Sequence, residues 1–153
     1  MKTILIYYSK HHGNTRKLAE AIAAAEDVTL LDASSSAEAD LSGYDRIGFA
    51  SGIYYAKFHD SVLRFAENNL PFHKDVFLVY TCGNHRKSYA TAIRRIAEAK
   101  QARLLSVFHT PGYDTFGPFK LIGGIAKGRP NEADCAAAVQ FYRGLSGGSE
   151  SAE

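Results

Sequence analysis

Three observations predict an α/β domain on a five-stranded parallel sheet with strand order 2-1-3-4-5. Short β-branched or aromatic runs alternate five times with helix-length segments, which requires a parallel sheet with helices on both faces, a three-layer sandwich. The first, third and fourth runs are almost wholly apolar, as central strands covered on both sides must be. The second is shorter and acidic at its ends, so it belongs at an edge. In such sheets ligands bind outside the carboxyl ends of the strands, where the order reverses between strands 1 and 3.

Each element follows from its own residues. The strands are read over Thr3–Tyr8, Val28–Leu31, Arg46–Ala50, Val76–Tyr80 and Leu104–Phe108. Helical spacing of 3.6 residues gathers four apolar sets: Leu18, Ala21, Ile22 and Ala25; Val62, Phe65 and Ala66; Tyr89, Ile93, Ile96 and Ala97; Cys135, Val139 and Tyr142. Pro130-Asn131 followed by Asp134 reads as the capped start of the last helix. Residues 1–145 make one domain, and the Ser- and Gly-rich residues 146–153 a disordered tail.

Composition narrows the function. The chain has 153 residues, 46% hydrophobic and 22% charged, enough to build a core without disulfide or metal staples. With 18 basic against 16 acidic residues, the net charge of +2 argues against a dedicated nucleic-acid binder. No apolar run approaches the ~18 residues of a membrane span. Cys82 and Cys135 lack metal-ligand spacing, and a reducing cytoplasm is the expected compartment.

Four loops at the carboxyl ends carry the polar chemistry. Ser9-Lys10-His11-His12-Gly13-Asn14-Thr15 opens the first helix, where free N–H groups and the helix dipole favour an anion. Asn14 or Thr15 suits plain helix capping equally well. The Lys-Ser/Thr ending of a nucleoside triphosphatase loop is missing. Ser51-Gly52-Ile53-Tyr54-Tyr55-Ala56-Lys57-Phe58-His59 places aromatic rings where loops usually carry small polar residues. Those rings suit a flat ligand or simple packing, and His59 suits a helix cap. Thr81-Cys82-Gly83-Asn84-His85-Arg86-Lys87-Ser88-Tyr89 offers backbone amides to a heterocycle edge; Tyr89 reads as core, and Cys82 as structural. A fourth segment, Pro111 to Pro130, is unusually long for a loop in a compact domain. Ser9 and Ser51 stand where a phospho-acceptor receiver would need acidic residues.

Together these loops resemble those of short-chain flavodoxin-like proteins over residues 3 to about 145. Ser9 with Gly13-Asn14-Thr15 is similar to the flavodoxin phosphate loop, and Gly112 to Gly117 with Gly123 to Asn131 is similar to a subgroup of small single-domain flavodoxins. The second loop is also similar to that of menaquinone-dependent protoporphyrinogen oxidases. The resemblance implies FMN as cofactor. Ser9, His11, His12, Gly13, Asn14 and Thr15 would hold its phosphate; Ser51, Gly52, Ile53 and Tyr54 would lie on the ring; Cys82, Gly83 and Asn84 would meet its pyrimidine side. No Trp is present, so Tyr54 or Tyr55 would stack. In the family a glycine peptide of the second loop turns over on reduction, and Gly52 is the counterpart.

The function expected is an FMN-binding electron carrier rather than a stand-alone enzyme. One alternative is an FMN oxidoreductase acting on a quinone, a porphyrinogen or NAD(P)H, with His85, His59 or Tyr113 near the proton route. Another is a flavin-free phosphate-binding or adaptor module. Formal charge is +3 over residues 9–17, +1 over 51–59, +2 over 82–89 and +2 over 110–129, together +8, against −6 elsewhere. A basic rim of that kind favours an anionic reduced flavin and steers acidic redox proteins or anionic small molecules toward it.

Overall fold

The computed structural model describes residues 1–10, 13–112 and 128–145. The strands are β1 (Thr3–Tyr8), β2 (Val28–Asp32), β3 (Arg46–Tyr54), β4 (Lys57–Phe58), β5 (Asp75–Cys82) and β6 (Arg103–Pro111). The helices are α1 (Asn14–Ala25), α2 (Asp60–Asn69), α3 (Thr91–Ala99) and α4 (Glu132–Arg143), with a 3₁₀ turn over Lys87–Ala90. The parallel sheet runs β2-β1-β3-β5-β6, which is the expected 2-1-3-4-5 order of its five main strands. The sixth strand, β4, was not foreseen. It pairs antiparallel with the end of β3, Ile53 to Phe58 and Tyr54 to Lys57.

That hairpin corrects the second loop. Ser51 to Tyr54 continue β3, and only Tyr55 and Ala56 form the turn between the paired residues. The main strands extend one to four residues beyond the apolar runs at one or both ends, except β1, whose limits match. Pairing with a neighbour carries backbone hydrogen bonds past the last core-facing side chain, where composition no longer signals a strand.

Two apolar layers sandwich the sheet. One packs α2 and α3 against Ile4, Ile6, Ile47, Phe49, Val76, Leu78 and Tyr80. The other packs α1 and α4 against Leu5, Ala50, Phe77, Val79 and Leu105. The alternation within each strand divides its side chains between the two layers. Register sets Leu5, Gly48 and Phe77 side by side across three strands. A Cβ at 48 would collide with the Phe77 ring and stand 2.7 Å from Leu5 Cδ1, so only glycine fits this row. The helical faces follow the spacing with two shifts. Ala25 is exposed whereas Ala19 is buried in α1, and Ala138 joins Tyr142 as the buried face of α4.

The start of α4 forms as the sequence implies. The Asn131 side chain accepts from the Asp134 N–H (3.0 Å), and the Asp134 carboxylate accepts from the Asn131 N–H (2.8 Å). At the far end of the sheet, buried Arg46 donates to the Leu145 carbonyl at 2.7 Å and lies against the Tyr142 ring. The tail proposed over 146–153 lies outside the described residues, and so does 113–127, which holds Tyr113, Lys120, Lys127 and most of the fourth loop. No described helix is long and apolar enough to cross a membrane.

Candidate functional site

The carboxyl ends of β1, β3 and β5 are brought together by register, since Tyr8 pairs with Ser51 and Ser51 with Tyr80. Ser9, Gly13 to Thr15, Ser51 to Tyr55 and Cys82 to Asn84 therefore occupy adjacent ends of neighbouring strands. His11 and His12 lie outside the described residues.

The chain reaches α1 through Gly13, which sits at φ +63 in the left-handed region and accepts no side chain contact where a Cβ would stand. Gly13 is the N-cap and has no side chain to offer as a cap, and the first turn contains no acidic residue. Ser9 reaches across instead, its hydroxyl oxygen accepting from the Arg16 N–H at 3.1 Å. Asn14 and Thr15 turn inward. Both are buried; Thr15 Oγ1 and Thr81 Oγ1 are 3.1 Å apart, and the Asn14 amide packs on Gly112 so tightly that an added Cβ there would stand 2.8 Å from Nδ2. The side chains of Asn14 and Thr15 thus brace the loop against Gly112 and Thr81.

At the end of β3 the Tyr54 ring crosses over Gly52, standing 3.3 Å from where its Cβ would be. Burial pushes the Tyr54 phenol above its ordinary value, partly offset by a hydrogen bond from the Lys10 backbone. Tyr8 and His59 stack face to face, with centroids 3.9 Å apart, and Tyr54 meets both rings edge-on at 5.8 and 4.9 Å. His59 caps α2 as expected: its Nδ1 accepts from the Ser61 N–H at 3.0 Å. That bond requires an imidazole without a proton on Nδ1. Burial pushes the His59 pKa below its ordinary value, Asp60 opposes the shift, and Arg64 and Lys10 add to it. Fully buried Ser51 accepts from the His59 N–H at 3.0 Å and donates to the Gly52 carbonyl, which ties the hairpin base to α2. Phe58 is fully buried, and Tyr55 is 88% exposed.

A second aromatic group closes the other flank. His85 Nε2 is 2.7 Å from the hydroxyl oxygen of fully buried Tyr80, and the His85 and His109 rings stack at 3.7 Å. No local pattern signals this stack, because 23 residues lie between its members and the Tyr80–His109 register brings them together. Cys82 is buried at the strand end, and its carbonyl accepts from the Gly112 N–H at 3.0 Å. Gly83 is half-buried and Asn84 exposed at the end of β5. Cys135 is packing: burial raises its thiol pKa, and Sγ faces the Lys17 carbonyl. Among the described residues no cluster of His, Cys, Asp or Glu is arranged to hold a metal.

The basic rim is thinner than the sequence count. Arg16 pairs with Glu20, Lys57 with Asp60 and Arg129 with Asp134. Lys10, Arg86 and Lys87 stay exposed on the same end of the molecule.

The fold agrees with solved relatives. Flavodoxin 2 from Bacillus cereus superimposes with a TM-score of 0.66 at 17% identity, covering 95% of this chain and 97% of that one. A flavoprotein from Lactobacillus acidophilus, solved in complex with FMN, gives a TM-score of 0.55 at 19% identity, covering 71% of this chain and 92% of the other. An uncharacterized protein of Methanocaldococcus jannaschii is 33% identical over 147 residues, 95% of this chain and 98% of that protein. The flavodoxin domain model matches residues 5–116, which include the end of β1, α1, the hairpin and the loop after β5. This chain therefore belongs to the flavodoxin domain family.

Proposed function

We propose that this protein binds FMN across the carboxyl ends of β1, β3 and β5 and serves as an electron carrier. The observation that carries the reading is the start of α1. It is entered through a left-handed glycine with open space beside it, and it has no acidic residue and no cap from its own N-cap residue. Such an end suits a phosphate monoester. Beside it the Tyr54 ring, half-buried Gly83 and exposed Asn84 suit a flat heterocycle.

When bound, the flavin supplies the redox chemistry; the chain supplies binding, orientation and electrostatics. Ser9, His11, His12, Gly13, Asn14 and Thr15 hold the phosphate, the last two through backbone N–H groups. Ser51, Gly52, Ile53 and Tyr54 line the ring, and Cys82, Gly83 and Asn84 border its polar edge. Ser51 stiffens the Gly52 peptide, and the Tyr8–His59 stack backs Tyr54. With the Lactobacillus acidophilus flavoprotein solved in complex with FMN, the mononucleotide is the flavin that suits this set. Cys82 and Cys135 are not joined in a disulfide, which suits a reducing cytoplasm.

Titration with FMN tests the reading. Saturable quenching of FMN fluorescence, and a yellow protein, is the expected result; neither appearing would refute it. The exposed His85, bonded to Tyr80 and stacked on His109, favours a second reading as an oxidoreductase, because an imidazole beside the ring site is what proton delivery needs. NAD(P)H consumption with a quinone acceptor and no separate reductase would select it.

A further inference from the structure

His59 is joined to the ring site by more than its place at the head of α2. Its Nδ1 accepts twice from Ser61, from the N–H at 3.0 Å and from the hydroxyl at 2.9 Å. The two donors keep that nitrogen free of a proton and fix the plane of the ring. In that plane the ring stacks on Tyr8 of β1, 15° from parallel, and Tyr54 of β3 meets it edge-on at 81°. The His59 N–H donates to the Ser51 hydroxyl oxygen at 3.0 Å, one residue before Gly52. Tyr54 is the ring that lies over Gly52. One residue thus ties the start of α2 to the peptide and the ring that line the candidate site at the end of β3.

Those contacts require a neutral imidazole. A proton on Nδ1 would set an N–H against two donors, so both bonds would be lost and the ring would leave its place. The Tyr8 stack and the edge-on contact with Tyr54 depend on that place. Tyr8 and Tyr54 cover the ring from β1 and β3. Asp60 and Arg64 act on it from α2 and Lys10 from the end of β1, while Lys57 of β4 pairs with Asp60 at 3.3 Å. Burial is the largest influence and puts uptake of the proton below the ordinary 6.5.

We propose that His59 is a positioning residue that makes the ring site sensitive to pH: neutral, it holds Tyr54 over Gly52, and protonated, it releases Tyr54 and weakens the hold on a flat heterocycle. The consequence for ligand rests on the FMN reading, but the coupling of the two side chains exists with or without flavin.

NMR of the FMN-free chain tests the coupling. The Tyr54 ring signals should shift with pH at the same midpoint as the His59 imidazole. His59→Asn, whose amide still caps α2, should abolish the Tyr54 shift. Ser61→Ala removes one of the two donors to Nδ1 and should move both midpoints upward together. Tyr54 signals that ignore the His59 titration, or that still titrate in His59→Asn, overturn the proposal; a merely structural cap gives that result.

FMN fluorescence titration at about pH 8 and about pH 5 reads the consequence. A phosphate monoester itself takes up a proton at about pH 6, so the parent is compared with His59→Asn. Between the two pH values the parent should lose about fivefold or more affinity beyond the loss in His59→Asn. Equal losses overturn the proposal. Absence of FMN binding at every pH would refute the flavin reading and leave the His59–Tyr54 coupling standing on the NMR. FMN binding by a chain whose Tyr54 ignores His59 would do the reverse.

Discussion

Helices α1 and α4 pack side by side on one face of the sheet, yet their N-termini are built in opposite ways. α4 satisfies its own end. Asn131 and Asp134 exchange hydrogen bonds, Glu132 and Asp134 place negative charge on the dipole, and Arg129 closes on Asp134 at 2.6 Å. α1 begins at a glycine, lacks carboxylates in its first turn, and continues into Arg16 and Lys17. Among the described residues the Ser9 hydroxyl, supplied from across the loop, accepts from its Arg16 N–H. A helix that only had to be stable would be finished as α4 is. The start of α1, at the switch point of the sheet, suits the external anion proposed for it.

Putting a carboxylate at α1 is the strongest way to break this contrast. Gly13→Asp meets no atom within 4 Å, and aspartate tolerates the left-handed conformation better than most residues. FMN affinity, read by fluorescence titration, should fall about a hundredfold, equivalent to about 2.7 kcal/mol. An affinity close to that of the parent would show that the end of α1 is not the phosphate site.

Asn131→Ala opens α4 instead. Denaturant unfolding should show a loss of about 1–2 kcal/mol, with FMN affinity unchanged. The Asp134 side of the same cap is legible in pH. The bond from Arg129, outweighing the cost of burial, holds the Asp134 carboxyl down at about 2 from an ordinary 3.8. Its contribution is therefore complete above pH 3.8 and lost as pH falls toward 2, and it amounts to about 1 kcal/mol once screening of the half-exposed Arg129 is allowed for. Asp134→Asn should flatten that acid limb.

α2 gives an intermediate case, capped by a titratable ring. The depressed His59 pKa means that the unfolded chain takes up the proton first. Stability from His59 is present above pH 6.5 and declines as pH falls below it. His59→Asn, which keeps a capping acceptor, should remove this limb of the stability–pH curve while leaving α2 intact. The smallest effect is expected from Ser9→Ala, which removes the acceptor for the Arg16 N–H and should cost about 0.5–1 kcal/mol by denaturant unfolding.

Much of the fold was legible in the chain, and the reasons are local. Apolar runs such as Ile4 to Ile6 and Val76 to Val79 mark central strands because both of their faces are buried. Asn131 and Asp134 announce the start of α4 because a capping box lies within four residues. The β3–β4 hairpin was hidden because its turn is Tyr-Ala, not the Asn-Gly that signals a type I′ turn. The sequence points to the carboxyl ends of β1, β3 and β5, which the register does bring together, but not to side-chain direction. Asn14 and Thr15 read equally as capping residues and as anion ligands; their side chains pack on Gly112 and Thr81 from far along the chain.

The sequence by itself determined the layers, the strand order and which strand ends carry polar chemistry, because periodicity and local capping depend on residues close in the chain. Only the tertiary structure decided which of two adjacent tyrosines folds over Gly52 and which projects to solvent, which cations are neutralised, and that His85 stacks on His109. Those outcomes rest on register across β3, β5 and β6, and on contacts between residues tens of positions apart, whose pairing no local pattern encodes.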